Sequence, residues 1–298
     1  MKLFAPSYYK DFTCIADRCK HSCCVGWEID IDPDTLAHYE TMTHSYGEAV
    51  RNSISYQGDP HFLLTAGDRC PHLNEKGLCK LILEAGESSL CEICREHPRF
   101  YHATSKGMEV GLGMSCEEAC RLILSSDGYD TFYEVSHEDG DPEELFFDAL
   151  PHRDTLYGLL SDQTLSHAAK TEEISRLYEV SPCAYTDEFW RVQLASLEFL
   201  EEAHKELFAC YQNHTEPSAD CEKLLERILG YFIFRHCTPA ESYEEFRAAL
   251  GFCLLCRNLL ASMAVSFPQY PLSELARILS EEIEYSTDNT DTIKSVFF

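Results

Sequence analysis

The chain has 298 residues, of which 45% are hydrophobic and 25% charged, and 24 Lys+Arg against 51 Asp+Glu leave a net charge of -27. This is a globular composition with enough apolar residues for a sizeable core, and it excludes collagen-like and disordered classes. So acidic a surface repels phosphate backbones, so nucleic acid is not an expected partner. No run reaches the roughly 20 apolar residues that span a bilayer; the best, 248–267, is interrupted by Arg257 and Asn258. The opening MKLFAPSYYKDF lacks the apolar core of a secretory signal. The expectation is a cytoplasmic protein with no membrane partner, in which thiols stay reduced.

In chain order, residues 1–125 read as irregular and loop-rich. Trp27-Glu28-Ile29-Asp30-Ile31 alternates as a short strand does. Asp32-Pro33-Asp34-Thr35 is a helix start, with Pro at N1 and acids in the first turn, and predicts a helix over 36–52. Residues 78–83 form a short apolar run ending near Gly86. Ser115 is the expected N-cap of a helix to Leu124, with Glu117 and Glu118 in its first turn. Residues 126–142 carry turn signals and an acidic run, and read as a linker. From 143 to 298 apolar residues recur at helical spacing: Leu145, Phe146, Ala149 and Leu150, later Leu224, Leu225, Ile228, Leu229 and Phe232. A long helix over 243–267 is stopped by Pro268, and a shorter one covers 272–284. The fold class is therefore mainly α: an irregular cysteine-rich metal-binding region over 1–125, then a bundle of five to seven helices over 143–298. Residues 286–298 either fray or dock.

Ten of the sixteen cysteines lie in the first 120 residues. Four form Cys14-x4-Cys19-x3-Cys23-Cys24, and Cys70, Cys79, Cys91, Cys94, Cys116 and Cys120 follow. Reduced thiols this dense point to metal, either tetrahedral Zn2+ or an iron–sulfur cluster. Cys91-x2-Cys94 is a knuckle spacing, and a turn at Gly77 can bring Cys70 and Cys79 together. Cys23 and Cys24 are adjacent, so either they serve two sites or one member binds. Cys116 is the ligand candidate of its helix, with Cys120 a neighbour. His21, His72 and His97 lie close by in sequence, with hydrogen-bonded roles as the plainer reading. Arg95 and Arg99 flank the group, suited either to a carboxylate or thiolate or to a structural ion pair. Cys183, Cys210, Cys221, Cys237, Cys253 and Cys256 fall in the helical part and read as core residues.

These blocks resemble a known family. The run from Phe12 to Asp32, the run from Gly67 to Cys79, the stretch Cys94 to Arg99, the block Ser115-Cys116-Glu117-Glu118-Ala119 and the helical stretch Tyr231 to His236 are similar to the flagellin lysine-N-methylases. The N-terminal part also resembles CxxxCxxCC zinc- or iron-chelating domains, with wider spacing. The resemblance implies methyl transfer from S-adenosylmethionine to lysines of flagellin or another protein. It also implies a cysteine-bound metal centre, with a 4Fe-4S cluster favoured over zinc. By position it carries Cys14, Cys19, Cys23, Cys24, Cys70, Cys79, Cys94 and Cys116 as ligands; Cys91 joins them on its knuckle spacing. Gly111-Leu112-Gly113 is too short for a dinucleotide-type glycine fingerprint, so the donor rests on the resemblance alone. The competing reading is a non-catalytic zinc- or iron-binding, redox-sensing interaction protein.

Overall fold

The computed structural model describes residues 1–43, 45–137 and 144–298. The acidic run 138–142, part of the expected linker, lies outside the described residues. Among those described, thirteen α-helices dominate and strands are few, so the fold is mainly α.

The chain opens with strand β1 (Lys2–Pro6) and then leaves for a compact unit over Thr13–Arg99. In that unit helix α1 (Pro33–Thr41) starts where the sequence places it: the Asp32 carboxylate accepts from the Thr35 amide at 2.9 Å and Pro33 fills N1. The predicted helix over 36–52 is in fact two. α1 ends at Thr41, and α2 (Gly47–Asn52) follows after a break. Arg51 ties the break together by donating Nη1 to the Tyr39 and Met42 carbonyls, both at 3.0 Å. A two-residue ladder joins β2 (Ile54–Ser55) to β3 (His61–Phe62). The expected strand over 27–31 is a single bridge, Asp30 to His61. Its alternation is real, since Ile29 and Ile31 are buried. Helices α3 (Lys80–Ala85) and α4 (Glu92–Glu96) complete the unit.

The second unit comprises Met1–Phe12 and Phe100–Phe298. Strand β4 (Arg99–Thr104) leads into it, followed by β5 (Gly107–Leu112), helix α5 (Glu117–Ser125) and strand β6 (Phe132–His137). The sheet order is β4-β5-β1-β6, with β1 parallel to β5 and antiparallel to β6. Thr13–Arg99 is thus inserted between two strands of one sheet. The division therefore falls at residues 12/13 and 99/100, whereas the sequence placed it after 125. The reason is non-local pairing: Leu3 lies opposite Met108 and Ser136, register that no local pattern announces. Residues 132–137 of the expected linker are strand. Gly107 has φ +133°, and a Cβ there would strike the Lys2 backbone, so the parallel approach of β1 requires glycine.

After the sheet come α6 (Leu150–Ser161), α7 (His167–Leu177), α8 (Asp187–Ala195), α9 (Lys205–Phe208), α10 (Ala219–Phe232), α11 (Tyr243–Ser266), α12 (Leu272–Leu279) and α13 (Thr287–Ser295). This exceeds the five to seven expected, because short α9 and α13 carry little apolar periodicity. Phe146, read as helical, precedes α6 and is 94% exposed. α11 is long and apolar enough to cross a membrane, but its residues are mostly buried in the core. There Arg257 pairs with Glu222 of α10. The C-terminus docks: Tyr185 Oη donates to the Val296 carbonyl at 2.9 Å and Phe297 stacks on Trp190 at 5.4 Å. Two π-helical segments, Ile233–Cys237 after α10 and Ser280–Glu284 after α12, interrupt the regular helices.

Candidate metal centre and a buried polar cluster

Eight of the nine predicted ligands lie in the Thr13–Arg99 unit, and five of these, Cys24, Cys70, Cys79, Cys91 and Cys94, pack on one apolar cluster with Ile31, Tyr39 and Phe62. Backbone pairing explains the convergence. Gly26 donates to Asp68 and Cys70 to Cys24, both at 2.8 Å, which lays residues 24–26 against 68–70. The Gly77 turn, with φ +74° and the Asn74 side chain accepting from the Lys76 and Leu78 amides, brings Cys79 back opposite Leu73. α4 starts at Cys91 and folds Cys94 onto it, with the Cys94 amide on the Cys91 carbonyl at 3.1 Å. Asp32 joins the two ends of the site. Its Oδ1 caps α1 while its Oδ2 accepts from the Glu92 amide at 2.7 Å.

The thiols feel one another. Burial, with the neighbouring Cys24, Cys79 and Cys91, pushes Cys70 up to about 12 despite a hydrogen bond from the His72 backbone. The hydrogen bond with Cys91, then burial, pushes Cys94 up, while Cys91 is lowered by the same bond. Cys24 is drawn down to about 7, first by a hydrogen bond from Cys23. Cysteine thiolate is a ligand type that both zinc and iron–sulfur clusters take. Even so, among the described residues no three His, Cys, Asp or Glu side chains stand close enough to hold a metal ion. The five thiols share one wall of the core without forming a coordination shell.

The other predicted positions fall outside that wall. Cys14 and Cys23 are exposed, and Cys19 directs its thiol to the His21 carbonyl at 3.1 Å. Cys116 belongs to the other unit, where it is the residue preceding α5; Ser115, the expected cap, makes no hydrogen bond with its hydroxyl. Cys120 is buried, donating to the Ser273 carbonyl at 3.3 Å, as a neighbour rather than a ligand. His72 is committed on both ring nitrogens, Nδ1 to Tyr46 Oη at 2.9 Å and Nε2 to Ser53 Oγ at 3.0 Å. Arg95 pairs with Glu96 at 3.6 Å, and Arg99 donates to the Arg95 carbonyl at 3.4 Å. Of the helical cysteines, Cys237, Cys253 and Cys256 are buried in the core.

The sheet-and-helix unit holds a second concentration of polar chemistry where its two π segments meet. Glu284 Oε1 faces His236 Nε2 at 2.7 Å and Arg235 Nε at 3.3 Å. Tyr231 Oη donates to Glu284 Oε2 at 3.2 Å and lies 3.0 Å from Arg235 Nη1 and 3.2 Å from the Met114 amide. The Arg235 guanidinium sits between the rings of Phe100 and Tyr285, 5.0 and 4.9 Å from their centroids. Burial raises the Glu284 carboxyl, but Arg235 and His236 outweigh it and hold the pKa below the usual range. Burial pushes His236 down to about 4, so it is a neutral donor to the carboxylate at neutral pH. The sequence supplied Tyr231, Arg235 and His236 only as part of a family-like block. The i, i+4 spacing of Tyr231 and Arg235 was legible, but Glu284, the common partner of all three, was not.

A second buried ion pair lies nearby in the same unit. Arg153 forks onto Glu109, Nη1 to Oε2 at 2.5 Å and Nη2 to Oε1 at 2.7 Å, and stacks on Phe132 at 4.6 Å.

Comparison with known proteins gives sequence relatives only. No protein-family model matches the chain, and no solved structure matches it. Among curated proteins it is similar to methyl-transfer enzymes by name: two proteins called lysine-N-methylase, from Salmonella choleraesuis and Salmonella typhimurium, each 23% identical over 212 residues. The match covers 68% of this chain and 52% of either relative, so the chain spans about half the length of these relatives. A third relative is the flagellar biosynthetic protein FliU of Salmonella muenchen, 26% identical over 128 residues, 40% of this chain and 75% of that protein. These relatives agree with the resemblance read from the cysteine blocks.

Proposed function

We propose that this chain is a protein lysine N-methyltransferase that takes its methyl group from S-adenosylmethionine and acts on flagellin or another lysine-bearing protein. The observation that carries the reading is the similarity to proteins named lysine-N-methylase over 68% of the chain. In the reaction, the neutral amine of a lysine attacks the methyl carbon of the sulfonium. The N–C bond forms as the C–S bond breaks, sulfur keeps the electron pair as a thioether, and a proton leaves the nitrogen. The net charge of -27 favours approach of a lysine-bearing segment.

We assign the metal centre to the five-thiol wall, Cys24, Cys70, Cys79, Cys91 and Cys94, with a 4Fe-4S cluster favoured and zinc the alternative. When bound, such a centre fastens the loops of the Thr13–Arg99 unit and, if it is iron–sulfur, exchanges electrons. The competing reading, a non-catalytic metal-binding module, draws on the cysteine wall forming a compact unit of its own. Anaerobic purification with iron, sulfide and zinc analysis, then a methyl-transfer assay on flagellin read by mass spectrometry, separates the two. Lysine methylation by the holoprotein supports the proposal. Metal-replete protein that methylates no lysine, on flagellin or in a cell extract, overturns it in favour of the module.

A further inference from the structure

The cluster beneath the two π segments has features of a ligand site. π-helical insertions recur at functional sites, and here two of them bring Arg235, His236 and Glu284 together. The Arg235 guanidinium lies over the rings of both Phe100 and Tyr285, which restricts how it can turn. Tyr231 and Glu284 take the Nη1 and Nε edge, leaving Nη2 for another acceptor. The Arg235 side chain as a whole keeps 13% of its surface accessible. A Cβ on Gly113 would stand 2.6 Å from Arg235 Nη1 and would also strike the Tyr285 hydroxyl, so only glycine lets the chain pack this closely against the guanidinium.

The same unit holds buried polar atoms without partners among the described residues. The Ser115 hydroxyl makes no hydrogen bond among the described residues, and it follows directly on Met114, whose amide is bound to Tyr231. The Tyr8 hydroxyl and His102 Nε2 are likewise buried and unpartnered, and both lie within the electrostatic reach of Arg235. Unpaired buried groups of this kind cost about 1–3 kcal/mol each and call for an occupant. The occupant's charge is constrained. One arginine against one ionised glutamate leaves no net positive charge, which disfavours a phosphate. A zwitterion, with a carboxylate for the arginine and an ammonium for hydroxyl and carboxylate oxygens, is matched.

We infer that Arg235, backed by Tyr231 and Glu284 and joined by the Ser115 hydroxyl, binds the carboxylate of an α-amino-acid zwitterion, the methionine end of the methyl donor. This rests on the methyltransferase reading above.

The test is calorimetric binding to the full-length, metal-replete protein with two probes. S-adenosylhomocysteine carries the amino-acid end, and 5′-methylthioadenosine lacks it. The wild type binds the first more tightly. Arg235→Gln loses about tenfold or more on S-adenosylhomocysteine and little on 5′-methylthioadenosine, Arg235→Lys is intermediate because it keeps charge without the planar fork, and Ser115→Ala weakens the same probe selectively. Should Arg235→Gln lose its helical circular dichroism, the Lys and Ser115 variants decide. Equal affinity of the wild type for the two probes, or equal weakening of both by the variants, overturns the inference and leaves the methyltransferase reading standing. Binding of neither probe by the wild type overturns both.

Discussion

Acid should unfold the sheet-and-helix unit well above the carboxylate range, because two of its histidines are buried neutral. Burial pushes His102 down to about 3 and His236 to about 4. In the unfolded chain each titrates near 6.5. A neutral buried histidine contributes stability that is full above the unfolded pKa. It is lost as pH falls from there toward the folded pKa, because only the unfolded chain takes up the proton. Each pH unit in that interval removes about 1.4 kcal/mol per histidine. From pH 6.5 to 5 the two together remove about 3 kcal/mol, and by pH 4, where His236 is half protonated in the folded chain too, about 5 kcal/mol, a large part of the stability of many domains. His204 works in the opposite sense: hydrogen bonding and attraction to Glu282 raise its pKa despite burial, so its contribution is full below the unfolded value and fades only as pH rises. Glu284, with a depressed pKa, loses its contribution below this interval. Urea unfolding at pH 7, 6, 5 and 4.5, followed by tryptophan fluorescence, measures the slope; both tryptophans are in the chain as Trp27 and Trp190, and Trp190 reports on this unit. His236→Gln should roughly halve the slope between pH 6.5 and 5. A stability that stays flat from pH 7 to 5 refutes the reasoning.

Three further outcomes are expected. Cys70→Ser and Cys91→Ser should lose most bound metal while Cys14→Ser, at an exposed position, keeps it; equal loss in all three, by metal analysis, would disprove the five-thiol assignment. Glu109→Gln leaves Arg153 buried, with only 4% of its side chain accessible, without its counter-charge, and should cost about 3–5 kcal/mol in urea unfolding; a cost under 1 kcal/mol would show the pair to be incidental. Asp32→Ala removes the cap of α1 and the acceptor for the Glu92 amide together, and should destabilise the Thr13–Arg99 unit by about 2 kcal/mol, seen as faster amide exchange at Thr35 and Glu92; unchanged exchange would count against the double cap.

Local chemistry was legible in the sequence wherever one segment suffices to define it. The Asp32-Pro33 helix start, the Gly77 turn between Cys70 and Cys79, the long apolar helix ended by Pro268 and the predominance of helix follow from capping, positive φ and apolar period, all properties of neighbouring residues. Only the tertiary structure decided which thiols meet. Sequence spacing treats Cys14 and Cys24 alike, yet the pairing of residues 24–26 with 68–70 turns Cys24 inward and leaves Cys14 exposed. Cys116 was grouped with the others by distance along the chain, and strand pairing of β1 with β5 and β6 assigns it to the opposite side of the division. The polar cluster depended on tertiary structure most of all. Tyr231 and Glu284 are 53 residues apart in sequence, yet they share a hydrogen bond. That contact is made by packing between distant segments, Tyr231 at the end of α10 and Glu284 in the π segment after α12, which no local pattern encodes.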